Sequence, residues 1–187
     1  TQQLDEKVLS EVIGTWFRRA GDISREYGSW VDKYIGDAVM AVWIHGEEGV
    51  TPDEVVRIMR AISALHKMTS QLHRQYPLPF PLRIGAGLNT GNAMVGNAGT
   101  GDRPDYTALG DTVNAAFRLE TSTKKLQLDV AMGETFYERL VTVTPTLELF
   151  SPYVVNMKGY DKPTATHAGT FADIDQFLTH VDSGSQS

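Results

Sequence analysis

A chain of 187 residues, 41% hydrophobic and 21% charged, is the size and make-up of one globular domain with a sizeable core. A formal net charge of -6 argues against general nucleic-acid binding, which needs a basic face to displace counterions. The lack of cysteine excludes a disulfide scaffold, a thiolate zinc site and a cysteine nucleophile, and no run approaches a membrane span or a signal peptide; both point to a cytoplasmic setting.

From the start of the chain, Leu4, Val8, Val12 and Trp16, with Leu9, Ile13 and Phe17 beside them, recur at helical spacing over residues 4–17, and "YGSW" ends the pattern. "SWVDKYIG" and "AVMAVWI" are rich in β-branched and aromatic residues and flank Gly36-Asp37, which predicts a hairpin. Residues 52–76 read as a long helix, with Thr51 as N-cap, Pro52 in the first helical position and Asp53 and Glu54 in the first turn. "LRIGAGLNTG" and "NAMVGNAG" read as a second hairpin around Thr90-Gly91-Asn92. A helix follows from Gly110 to about Lys125, with Val113, Ala116 and Phe117 inward. Next come a short strand in "LDVAMG", a short helix in "ETFYERL" and a strand pair in "TLELF" and "YVVNMKG", before a polar tail expected to be disordered. This order predicts an α+β fold: an antiparallel-rich sheet with helices packed on one face.

The run "GAGLNTG" imitates a dinucleotide-binding loop, but the residues after it lack the helix that must receive the pyrophosphate. No P-loop is present, and the five histidines are scattered, so surface or packing roles are expected for them.

Three stretches carry candidate chemistry. Asp37, at a hairpin tip, is either turn chemistry or a hard oxygen ligand for a cation such as Mg²⁺. Lys33 lies on the same side of that ribbon, as an edge-strand gatekeeper or a ligand contact. In "YTALGDTVNAAFRLE", Asn114 and Arg118 fall one helical turn apart, where an amide and a planar guanidinium could hold a sugar and a phosphate; a solvated helix face is the plainer reading. Lys158, beside a glycine at a strand end, is either a phosphate contact or an exposed turn lysine.

Taken together, "VDKYIGDAVMAVW", "LRIGAGLNTGNAMVGNAG", "DYTALGDTVNAAFRLE" and "NMKGYDKP" resemble, in order and separation, the class III nucleotidyl cyclase catalytic domain. The resemblance implies a ferredoxin-like fold over residues 1–170, with 171–187 a short helix and tail. It implies formation of cyclic nucleotide and pyrophosphate in sites shared by a head-to-tail homodimer. Asp37 would bind the two metal ions (Mg²⁺ or Mn²⁺), Lys33 and Thr107 would read the purine, Asn114 and Arg118 would position the ribose and the reacting phosphorus, and Lys158 would hold the outer phosphates. A lysine at position 33 is similar to the adenylyl pattern, making ATP the expected substrate; guanylyl cyclase activity and a silent nucleotide-binding or dimerising domain are the alternatives. Such domains are commonly joined to or regulated by a sensory module. Asn92 stands where several members carry an arginine. The family's first strand, with a Phe-x-Asp-Ile motif whose Asp is the other metal ligand, is expected upstream in the natural protein. "FADI" at 171–174 opens a helix instead, and Asp173 is not assigned to metal.

Overall fold

The structure, a computed structural model, describes residues 6–97, 99–102, 106–145, 147–155 and 164–184. Helix α1 (Glu6–Glu26) leads into the hairpin of β1 (Val31–Ile35) and β2 (Ala38–Val42), and α2 (Pro52–Gln75) crosses back. Strands β3 (Ala86–Leu88), β4 (Met94–Asn97) and β5 (Tyr106–Leu109) precede α3 (Asp111–Leu126). The chain ends with β6 (Val130–Gly133), α4 (Glu134–Val143), β7 (Ser151–Val155), β8 (Thr164–Gly169) and α5 (Phe171–Gly184).

The main sheet has the order β3-β6-β8-β7, with β3 parallel to β6 and the other pairs antiparallel. β1-β2 and β4-β5 form separate antiparallel ribbons. The second hairpin expected from the sequence therefore does not form: β3 pairs with β6, and β4 pairs with β5. Both predicted strands exist, but each finds its ladder further along the chain. "TLELF" is not a strand among the described residues; β7 instead takes β8, which the sequence reading omitted, as its partner. Pro152 sits in β7 at the sheet edge, where a missing N–H disturbs no second ladder.

Helices cover both faces of the main sheet, not one. Val130 and Met132 point into a core with Ile58 and Ile62 of α2, Phe136 and Leu140 of α4 and Ile174 and Phe177 of α5. Ala131 and Ala168 meet Leu119 of α3 on the other side. This explains why all of β6 is buried and reads as an unbroken apolar run. Side-chain size sets the distance on the α3 face. A Cβ on Gly87 would run into the carbonyl of Ala116 and the backbone of Glu120, so α3 lies directly on the strand. The glycines that imitate a dinucleotide loop thus serve helix-on-strand packing.

The predicted cap of α2 forms, and α5 has one that the sequence reading did not name. Thr51 Oγ1 accepts from Glu54 N at 3.2 Å. At α5, Asp173 Oδ2 accepts from Thr170 N at 2.8 Å while Thr170 Oγ1 accepts from Asp173 N at 3.2 Å. That reciprocal capping box explains Asp173 without a metal.

Between β2 and β3 the two ribbons stand apart. Among the described residues each strand bonds on one side only, β2 to β1 and β3 to β6. A cavity of about 890 Å³ separates them, lined by residues 38–41 on one side and 83–88 on the other, with Trp16, Ile58, Ile62 and Phe117 around it.

Candidate active site

The tip of the first hairpin is a two-residue loop, and Gly36 takes a φ of 59°, which glycine adopts without steric cost. The reversal leaves Asp37 exposed at the border of the large cavity. Lys33 lies opposite Met40 in the ladder and is half-buried. Thr107, also half-buried, lies opposite Gly96 on β5, and β5 runs beside β1. Lys33 and Thr107, far apart in sequence, therefore ride on neighbouring strands.

Helix α3 begins after Gly110, whose φ of 130° again suits glycine, and Asn114 N donates to Gly110 O at 3.0 Å. Asn114 is exposed and Arg118 half-buried, one turn apart on one face. The cavity wall takes a different stripe of the helix: Val113, Ala116, Phe117 and Glu120. Within one chain, then, Asp37 shares a cavity with Glu120 and not with Asn114 or Arg118. Burial pushes the Glu120 carboxyl above its ordinary range; Lys124 opposes this and the Asp37 charge adds to it. Lys158 lies outside the described residues.

The exposed carboxylate of Asp37 is a hard oxygen donor suited to Mg²⁺ or Mn²⁺ as one ligand among several. Among the described residues no three His, Asp or Glu side chains converge as a cation site. A complete coordination shell needs donors from another segment, another chain or the substrate.

A model of the adenylate and guanylate cyclase catalytic domain matches residues 7–169. The chain belongs to that family. Its curated relatives include an adenylate cyclase of Anabaena cylindrica, 30% identical over 115 residues, which are 62% of this chain and 23% of that protein. The terminal-differentiation specific adenylate cyclase of Dictyostelium discoideum is 32% identical over 148 residues, 76% of this chain and 7% of that protein. The cyclase domain thus spans less than a quarter of either relative. Among solved structures, the adenylyl cyclase CyaB from P. aeruginosa superposes with a TM-score of 0.69 at 24% identity, covering 89% of this chain and 84% of that one. The guanylyl cyclase Cya2 gives 0.68 at 21% identity, covering 88% and 81%. The class III cyclase fold expected from the sequence is the observed one. No helix among the described residues is long and apolar enough to cross a membrane.

The sequence reading treated all histidines alike, and for two the structure agrees. His66 stacks on Phe171 with centroids 4.2 Å apart, and His73 Nδ1 accepts from Leu82 N at 3.4 Å. His45 differs. Its Nδ1 lies 3.3 Å from Glu54 Oε2 and its Nε2 lies 3.4 Å from Thr90 Oγ1. No local spacing announces this trio, because Thr90 is 45 residues away along the chain.

Proposed function

We propose that the cyclase domain converts ATP to 3′,5′-cyclic AMP and pyrophosphate, in sites completed by a second copy of the chain. The observation that carries the adenylyl reading is the juxtaposition of β1 and β5. The strand of Lys33, which would donate to an adenine ring nitrogen, runs next to the strand of Thr107, which would accept from the exocyclic amine. The adenylate cyclase names of the sequence relatives support the same choice.

The two-copy reading draws on the separation of Asp37 from the Asn114–Arg118 face. It also draws on unpartnered apolar surface. Met94 is 78% exposed and Leu109 62%, and Tyr34 and Ile35 beside the hairpin tip are likewise uncovered. Met94 and Leu109 lie opposite each other in the β4–β5 ladder, an exposed apolar pair of the kind that a contact surface uses. A head-to-tail homodimer would cover it and bring Asp37 of one copy to Arg118 of the other.

In that site Asp37 would hold the divalent cations, which when bound acidify the attacking hydroxyl and offset phosphate charge. Asn114 would orient the ribose so that its 3′-oxygen faces the α-phosphorus. Arg118 would place a delocalised positive charge where negative charge develops on the equatorial oxygens. Lys158 would neutralise the departing pyrophosphate. The slot between β2 and β3 suits an extended strand, whose backbone would bond to both open edges and could bring a second carboxylate beside Asp37. Because the domain is a small part of its relatives, fusion to a sensory module is part of the proposal.

The test is turnover of α-labelled ATP with Mn²⁺ by the full-length protein. Cyclic AMP should form, with GTP a poor substrate. Arg118→Ala should lower kcat by about 10²–10³, as removal of one transition-state donor does. Lys33→Glu should abolish the preference for ATP. Equal use of ATP by Lys33→Glu would overturn the adenylyl reading, and no cyclic product from either nucleotide would leave a silent cyclase-like domain.

A further inference from the structure

We propose that His45 is a positioning residue. Its ring ties the loop after β3 to the first turn of α2, and through that loop it sets helix α3, with Asn114 and Arg118, relative to the hairpin that carries Asp37. The proposal rests on the cyclase reading for its catalytic consequence and on contacts alone for the tie.

His45 lies three residues past the end of β2, on the continuation of the arm bearing Asp37. Glu54 Oε2 lies 3.3 Å from Nδ1, within ion-pair distance. On the other side of the ring, Nε2 lies within hydrogen-bond reach of the Thr90 hydroxyl, 3.4 Å away. Both His45 Nδ1 and Glu54 Oε2 are shut off from solvent and neither completes a hydrogen bond, so the Glu54 side of the ring contributes proximity rather than a bond. At 3.3 Å the contact is loose.

From Thr90 the connection continues into α3 by shorter bonds. Asn89 Nδ2 donates to Thr112 O at 3.0 Å, and Thr112 Oγ1 donates to Asn92 O at 2.5 Å. Gly91 makes room for this, since a Cβ there would stand 2.8 Å from Thr112 Oγ1. Thr112 lies in the first turn of α3, two residues before Asn114. Packing gives the loop little support from beneath. A largely apolar cavity of about 150 Å³ lies there, with His45, Thr90, Thr112, Leu88 and Phe136 in its wall. Polar ties rather than close packing hold the loop in place.

Amide hydrogen exchange and steady-state kinetics on the full-length protein test this together. His45→Phe keeps the ring and removes both nitrogens, and Thr90→Val keeps the volume and removes the hydroxyl. Each should speed exchange at residues 90–92 and 112–114 by about tenfold or more, while the amides of β6 stay protected. The double variant should exchange no faster than the more severe single one, because both cut the same link. His45→Gln, which keeps an amide near the Nε2 position, should restore part of the protection. In the active enzyme kcat should fall about tenfold with KM for ATP little changed, the sign of an interaction expressed in the transition state. Unchanged exchange in His45→Phe overturns the tie. Faster exchange with unchanged kcat overturns the positioning role. If the wild-type protein turns over no nucleotide, the cyclase reading and the catalytic half of the proposal fall together, and the exchange data alone decide the tie.

Discussion

His167 shows how one side chain couples packing to pH. Its ring lies flat on Tyr137 with centroids 3.5 Å apart, and Nδ1 is buried with no polar partner. Burial holds its pKa below the ordinary 6.5, with Glu134 pulling the other way. The unfolded chain therefore binds the proton more readily than the folded one. Stability attributable to this residue is intact above about pH 6.5 and falls as the pH drops below it. Thermal melts from pH 7.5 down to 5.5 should show His167→Phe losing less stability than the wild-type protein; equal slopes would place the sensitivity elsewhere. At this scale motif order let the sequence name Lys33, Asp37, Asn114 and Arg118 as candidates, whose roles are part of the proposal. The sequence was silent where a role depends on contacts made across the fold, as at His45 and His167. A histidine facing Glu54 and one facing Tyr137 look the same in one dimension.

Among the elements, helices were the most legible because their signals are local. Thr51, Pro52 and the acidic first turn announce α2, and the period of its apolar residues matches its buried face. Strands were recognisable as strands but not in their pairing. "LRIGAGLNTG" and "NAMVGNAG" are joined by a turn-like sequence, yet β3 takes its place beside β6 because Gly85 and Gly87 let it press against α3. A hairpin with β4 would forfeit that burial. Gly87→Ala should therefore cost about 1–3 kcal/mol, the range for overpacking a closed contact, read as a lower denaturation midpoint with an unchanged m-value. Gly96→Ala, where an added Cβ meets nothing within 4 Å, is the control and should be near neutral. A Gly87→Ala variant as stable as wild type would mean that helix and strand can part more easily than the backbone contact implies.

At the scale of the whole molecule, the decisive question is whether Asp37 and Arg118 serve one reaction from different copies. Asp37→Ala and Arg118→Ala should each be inactive alone. Mixed in equal amounts, random pairing makes half the dimers heterodimers, each with one intact site, so about a quarter of wild-type activity should return. No recovery after mixing and subunit exchange would argue that both residues act within one chain. The gap between β2 and β3 bears on how such a protein behaves outside that assembly. Two open strand edges, facing each other across a trench lined by both apolar and charged side chains, form an adhesive surface for an extended polypeptide. Left unfilled, that trench would capture strands from other molecules and drive clumping. A short peptide able to lie in it should keep the protein dispersed.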